Sequence, residues 1–328
     1  MQRSLESGIQ EIASGLIADI RRTVSEKLLV AFSGGEDSTL VAYLAKQALG
    51  EKKVILVTVD WGKFTYEKAR KGVAEVSKLL GLSHYFIDGV EKQSQIWRYG
   101  PSCNMCTRYA KLQSILDFGE EAVVATGANR SDSWGINGVK INGKFYSPLI
   151  DLDKGTIRNM LSFFGLQPVK IGESSHREGC KLKHLLKMMI NPDYHGNAVA
   201  LSNEILLDFL KEIDHKASLA NVKIIGPLSK NIALVNVFPH LDVLASKEVV
   251  KRINNLSCVD EAYVLNNPIK LKVLANPGLF NDFTARDHVL QGFLQRDFSV
   301  AVSVEWIKSS NPRLRTFQVI GFDHEDNN

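Results

Sequence analysis

Between Lys27 and Thr126 short apolar runs alternate with amphipathic stretches of helical period, and few architectures accept that order. The apolar runs are Lys27–Phe32, Lys53–Asp60, His84–Ile87 and Glu121–Thr126; the helical stretches are Ser38–Leu49, Thr65–Leu80 and Thr107–Phe118. Repeated strand–helix units predict an α/β fold, a doubly wound and mostly parallel sheet with helices on both faces. An amphipathic helix over Leu5–Thr23 leads into the first strand. Ligands in such sheets collect beyond the carboxyl ends of the strands. Three of those ends carry polar groups: Ser33 to Ser38, Asp60-Trp61, and Gly127 to Asp132.

The first end is the most informative. Leu29-Val-Ala-Phe32 runs into Ser33-Gly34-Gly35-Glu36-Asp37-Ser38 and then into a helical pattern. Glycines let backbone approach a ligand closely, and the N–H groups opening a helix attract an anion. That predicts a phosphate site. The lysine and spacing of a Walker loop are absent, as is G-x-G-x-x-G. The hexapeptide resembles the SGGxDS signature of the PP-loop ATP pyrophosphatases. The resemblance implies an adenine-nucleotide α-hydrolase-like, Rossmann-like domain that cleaves ATP between the α and β phosphates, adenylates an acceptor and releases pyrophosphate. Ser33, Gly34, Gly35 and Ser38 would then cradle pyrophosphate, with Asp37 positioning Mg²⁺ or a catalytic water. Glu36 stands at the variable position of the signature and receives no role. Asp60 lies where this fold contacts adenosine, or is a turn aspartate. Gly127, Asn129 and Asp132 resemble the G-x-N-x-x-D stretch of related enzymes, with an Asx turn as the plainer alternative.

A second constellation is built from cysteines. Cys103-Asn-Met-Cys106 stands directly before a helical pattern, and a third cysteine follows at Cys180. Two thiols at that spacing can share a metal, form a redox pair, or be coincidental. Together with the PP-loop, they make residues 25–190 resemble the sulfur-transferring branch of the superfamily, the tRNA 2-thiocytidine and 2-thiouridine enzymes. The resemblance implies a [4Fe-4S] cluster on Cys103, Cys106 and Cys180, with one iron free of protein ligands, and a tRNA acceptor. It also implies a sulfide or persulfide donor. His176 or His184 could instead complete a Cys₃His zinc site, and a metal-free persulfide or disulfide pair is a third reading. Cys258, with no cysteine nearby in sequence, is expected to be a core residue.

Other residues carry bland and functional readings side by side. Arg108 and Lys111 either contact phosphates or belong to a solvated face. Lys181, Lys183 and Lys187 either meet an RNA backbone or are ordinary surface lysines. Ser147-Pro148-Leu149, followed by Lys154 and Arg158, is a stretch found in both tRNA-thiolating enzymes and those that insert sulfur into a small nickel-cofactor precursor. Asp153–Phe164 is predicted as a helix capped near Asp151 or Asp153.

Beyond about Asn221 the texture changes. Strands are predicted at Ile232–Val237, Ala262–Leu265, Lys270–Leu274, Val300–Ile307 and Thr316–Phe322, with helices at Ser246–Leu256 and Arg286–Gln295. The expected division is an N-terminal helix over 1–25 and a PP-loop domain with its cysteine site over 26–190. A helical linker with Ser202–Lys216 follows over 191–220, and then a ferredoxin-like α+β domain over 221–328 for oligomerisation or substrate contact. The net charge of +4 permits nucleic acid without demanding it. With 45% hydrophobic residues, no membrane-length apolar run and four cysteines, the chain is expected to be cytoplasmic with reduced thiols, and a homodimer is one assembly considered. The expected activity is an ATP-dependent sulfurtransferase acting on tRNA. Its alternatives are sulfur insertion into a small molecule, an ammonia-using amidating ligase with structural zinc, and a nucleotide-binding sensor.

Overall fold

In the computed structural model, which describes residues 2–119, 122–131, 138–168, 179–284 and 298–324, helix α1 (Gln2–Thr23) leads into β1 (Leu28–Ala31). The chain continues through α2 (Glu36–Leu49), β2 (Val54–Asp60), α3 (Glu67–Leu80), β3 (Ser83–Asp88) and α4 (Val90–Trp97). A single turn, α5 (Cys103–Met105), passes through a π-helical stretch, Cys106–Leu112, into α6 (Gln113–Gly119) and β4 (Val123–Ala125). The hairpin β5 (Ile141–Asn142) and β6 (Phe145–Tyr146) precedes α7 (Lys154–Phe163). After a π turn at Pro192–Gly196 come α8 (Asn197–Glu212), β7 (Leu219–Ile225), β8 (Ile232–Phe238) and α9 (Val243–Asn254). The described elements end with β9 (Glu261–Val264), β10 (Ile269–Ala275), α10 (Pro277–Asn281), β11 (Val302–Lys308) and β12 (Phe317–His324).

The chain forms two compact units, and they are interleaved in sequence. The first comprises Met1–Asp60, Glu67–Gly89 and Thr107–Ile171; the second comprises Trp61–Tyr66, Val90–Cys106 and Gly172–Asn328.

The first unit holds a six-stranded sheet in the order β3-β2-β1-β4-β6-β5, parallel except for β5 against β6. Leu28, Leu29, Val30 and Ala31 are all buried, as a strand covered on both faces must be. Strand β1 pairs with β2 on one side and β4 on the other. The order therefore reverses at β1, and a crevice opens beyond the carboxyl ends of β1 and β4. Phe32, Leu40, Leu44, Leu56, Val76 and Tyr146 are core residues, and α1 adds Ile9, Ala13 and Ile20 at helical spacing. The expected Rossmann-like α/β sheet is present. None of the described helices is long and apolar enough to cross a membrane.

The second unit carries two three-stranded sheets, β7-β8-β9 and β11-β10-β12, each with one parallel and one antiparallel pair. This replaces the single ferredoxin-like sheet expected from the strand spacing. Leu234 of one sheet and Leu271, Val273 and Val319 of the other share a core. The free edge of β7 is closed by a side chain: buried Asn203 on α8 donates to the Val222 carbonyl and accepts from its N–H, each at 2.9 Å. Strand β7 alternates apolar Ala220, Val222 and Ile224 with polar Asn221 and Lys223, yet all but its first residue are buried, and the sequence reading missed it. Helix α8 begins five residues before the expected Ser202. The helix expected at Arg286–Gln295 lies outside the described residues.

Two of the expected surface lysines are interior. Lys187 is fully buried, and its ammonium donates to the carbonyls of Pro227 and Lys230 and to Asn231 Oδ1. Burial pulls it down from the usual lysine range to about 7. Lys181, also buried, donates to the Lys63 carbonyl at 2.9 Å and pairs with Glu204. Neither is placed to meet an RNA backbone.

Asn231 is the hub of this interior. Its Oδ1 accepts from His195 Nδ1 at 2.8 Å and its amide donates to the Cys258 carbonyl at 2.8 Å. His195 Nε2 is buried without a hydrogen-bond partner among the described residues, and burial pushes this imidazole down to about 4. His84 in the first unit is pushed down to about 4 for the same reason. Both rings stay neutral when folded but take a proton near pH 6.5 when unfolded. Stability is therefore complete above pH 6.5 and lost as pH falls towards 4. Thermal midpoints measured across that range are expected to fall, and to fall less steeply in His195→Gln.

Candidate nucleotide loop and cysteine cluster

Gly34 adopts φ +66°, a conformation open to glycine, and turns the chain out of β1 towards α2. A Cβ there would also press on Val73 Cα and Cγ2 at 3.3 Å. Gly35 is the N-cap of α2 and contributes no side-chain cap, so the helix opens on a residue that leaves room for an outside acceptor. The loop braces itself through serines: Ser38 Oγ accepts from Ser33 N at 3.2 Å and donates to the Gly35 carbonyl at 3.2 Å. Beneath it, Thr58 Oγ1 donates to the Phe32 carbonyl at 2.8 Å. That leaves Thr58 to accept from His84 Nε2, also at 2.8 Å. This Thr58–His84 support has no periodicity or motif in the sequence to reveal it.

The acidic start of α2 is matched by bases from α7. Asp37 is paired with Lys154, and Glu36 lies 3.4 Å from Arg158. Helix α7 is capped by Asp153, which accepts from Thr156 N at 2.8 Å; that bond holds its carboxyl below the usual range. Lys154 and Arg158, which the sequence marked only as a recurring stretch, thus bring two cations to the mouth of the loop.

The end of β4 closes on the same place. A Cβ on Gly127 would stand 2.8 Å from Asp37 Cβ and 3.3 Å from Ser38 N, so only glycine lets these backbones meet. Asn129 is fully buried and its Oδ1 accepts from Ser131 N at 3.0 Å, closing an Asx turn. Asp132 lies outside the described residues. Asp60, at the end of β2, is held by both arms of the Arg70 guanidinium at 3.0 and 2.8 Å. The structure thus brings Ser33, Gly34, Gly35, Asp37, Ser38 and Gly127 to one crevice, with Asn129 turning the adjoining chain. Arg108, exposed, stacks on Tyr109 at 5.5 Å.

All three motif cysteines belong to the second unit. Cys103 opens α5 and is exposed, Cys106 is buried, and Cys180 pairs across with Thr65 in an antiparallel bridge. Gln93 of α4 links two of them: its Nε2 lies 3.6 Å from Cys106 Sγ and 3.2 Å from Cys180 Sγ. Burial pushes the Cys180 thiol up to about 12, against which Gln93 and the N–H groups of Leu182 and Lys183 favour its charged form. Such a sulfur ionises readily only beside a cation. Three thiols, two of them with an amide donor at the sulfur, suit an iron–sulfur or zinc centre in donor type. Among the described residues, however, no three His, Cys, Asp or Glu side chains converge on one point. His184, offered as a fourth ligand, is fully buried with Nδ1 3.4 Å from Lys223 Nζ; His176 lies outside the described residues. Cys258 is buried, as expected of a core residue.

The cysteine segments are tied into the C-terminal sheets. Met189 N donates to the Trp97 carbonyl at 2.9 Å and Arg315 N to the Tyr99 carbonyl at 2.8 Å, while the Arg315 guanidinium covers the Tyr99 ring at 4.3 Å. Leu186 bonds to Ile224 of β7 and to Val319 of β12.

Part of the chain is similar to known proteins. The NAD synthase family model matches residues 8–96. A stretch of 112 residues is 30% identical to an uncharacterized protein of Methanocaldococcus jannaschii, covering 33% of this chain and 23% of that one. The tRNA-specific 2-thiouridylase MnmA of Campylobacter lari is 33% identical over 104 residues, 28% of this chain and 30% of the relative. Its counterpart in Campylobacter curvus is 26% identical over 106 residues, 29% and 31% of the two chains. The chain thus spans less than a third of the length of these relatives. The solved NH₃-dependent NAD synthetase of Campylobacter jejuni, in complex with nitrate, superposes with a TM-score of 0.40 at 20% identity, over 48% of this chain and 74% of that one.

If the Gly127 approach shapes the loop, Gly127→Ala is expected to weaken ATP binding about tenfold or more, read by calorimetry. Overpacking at that contact is expected to cost about 1–3 kcal/mol of stability.

Proposed function

We propose that this chain, a member of the PP-loop ATP pyrophosphatase superfamily, is an ATP-dependent sulfurtransferase that thiolates a tRNA base. The observation that carries the reading is the coexistence of the Ser33–Ser38 loop with two thiols, Cys106 and Cys180, that share one buried amide donor. The similarity to tRNA-specific 2-thiouridylases supports the acceptor.

The chemistry balances without a redox step. A carbonyl-type oxygen of the base attacks the α-phosphorus of ATP, and the bond to pyrophosphate breaks. Ser33, Gly34, Gly35 and Ser38, with the opening turn of α2, receive the charge that gathers on the leaving pyrophosphate. Lys154 and Arg158 add positive charge beside it. Asp37 is the carboxylate that would hold Mg²⁺, the ion that neutralises a bound triphosphate. Asp60, Gly127, Asn129 and Asp132 are assigned to the nucleotide side of the site. Sulfide then adds to the activated carbon and AMP departs with the original oxygen, leaving C=S. Cys103, Cys106 and Cys180 would hold a [4Fe-4S] cluster, which when bound supplies an iron without a protein ligand and so a place to keep sulfur ready.

The NAD synthase match favours one other reading, an amidating ligase in which ammonia displaces AMP and the thiols are structural. Protein purified without oxygen separates the two when incubated with ATP, tRNA and labelled sulfide. The expected result is pyrophosphate release, label in tRNA, and a brown iron–sulfur absorbance that Cys180→Ala removes while ATP still binds. Colourless protein with stoichiometric zinc, or ammonia-dependent amide formation without label transfer, would overturn the proposal.

A further inference from the structure

Helix α4 buries two side chains one turn apart, Trp97 and Gln93, and the second is polar. Gln93 is 1% exposed. A buried amide costs about 1–3 kcal/mol for each end left without a partner, and a methionine would fill the same space more cheaply. An amide kept for packing order would satisfy both ends. In Gln93 only the nitrogen is engaged: it faces Cys106 Sγ and Cys180 Sγ, whereas Oε1 has no hydrogen-bond partner among the described residues. The amide's donor end is thus spent on two sulfurs that come from segments far apart in sequence.

The partners explain the orientation. A thiolate or metal-bound sulfur is a hydrogen-bond acceptor that gathers negative charge, and sulfurs brought together in a poorly polarisable interior repel one another. The two N–H groups of a primary amide can each serve one sulfur. Glutamate would place a third negative group there, and an apolar residue would leave the sulfurs uncompensated.

We propose that Gln93 is a positioning residue of the sulfur site, holding Cys106 and Cys180 in register and offsetting charge on their sulfurs through its amide N–H groups. This deepens the reading of the three cysteines as a sulfur-handling centre and rests on it for its biological meaning.

The test uses full-length protein stripped of metal under anaerobic conditions, titrated with Co²⁺ and followed by sulfur-to-cobalt charge-transfer absorbance. Gln93→Met, which keeps volume and removes the donors, is expected to bind Co²⁺ about 10–100-fold more weakly than wild type, the range for loss of a partner that orients metal ligands. Gln93→Glu is expected to bind more weakly still. Unchanged affinity in Gln93→Met, with an unchanged thermal midpoint, would overturn the proposal. Should wild type show no charge-transfer band, the metal-holding reading of the cysteines fails, and alkylation decides the role of Gln93 separately. With iodoacetamide and peptide mass spectrometry, Gln93→Met is expected to slow labelling of Cys106 and Cys180 severalfold and leave exposed Cys103 as an internal control. Equal rates at Cys106 and Cys180 in both proteins would remove Gln93 from the site.

Discussion

The backbone of residues 185–189 is the seam on which the second unit depends. Leu186 donates to Ile224 of β7 and accepts from Val319 of β12, and Met189 donates to the Trp97 carbonyl. Buried backbone groups cannot forgo partners, so these few bonds determine where the chain on either side can run. Lys187, between them, spends its ammonium on the Pro227 and Lys230 carbonyls and so locks the turn leading into β8. Cys180 lies just before this seam, and Cys103 and Cys106 follow the segment that it grips. The position of the thiols is therefore a property of the C-terminal sheets, although the thiols themselves belong to motifs read much earlier in the sequence.

The first unit is organised by a different constraint, close backbone approach. A glycine with positive φ after β1 and a glycine without room for a Cβ after β4 let two strand ends meet at one crevice. The charges then follow: an acidic helix start, with bases from α7 set against it. A phosphate-bearing ligand entering there would meet cations already held in place by carboxylates. Its binding would exchange one set of ion pairs for another rather than order free side chains.

Much of this was legible in the residues. The β1–loop–α2 hinge, the parallel sheet and most C-terminal strands follow from periodicity and glycine placement, because those elements alternate or punctuate in ways that local chemistry enforces. What was illegible was set by tertiary contact. Strand β7 was missed although Ala220, Val222 and Ile224 alternate with Asn221 and Lys223, because nothing nearby in sequence announces that its polar side chains are buried as well. Lys181 and Lys187 read as surface residues because nothing nearby in sequence announces the carbonyls that bury them. Gln93 and His84 carry no motif at all; each acquires meaning only through a partner on another segment.

The interleaving of the two units has a consequence for the order in which the molecule is made. The sheet beneath the Ser33–Ser38 loop is complete once the hairpin near Tyr146 and the helix after it have been synthesised. The segment bearing Cys103 and Cys106 must wait for the Arg315 N–H that holds Tyr99, which is synthesised long after the sheet. A chain that folds from its N-terminus as it emerges forms the crevice at the Ser33–Ser38 loop well before it can fix the segment of Cys103 and Cys106. Cys103 and Cys106 therefore stay without their shelter until that later stretch has been synthesised.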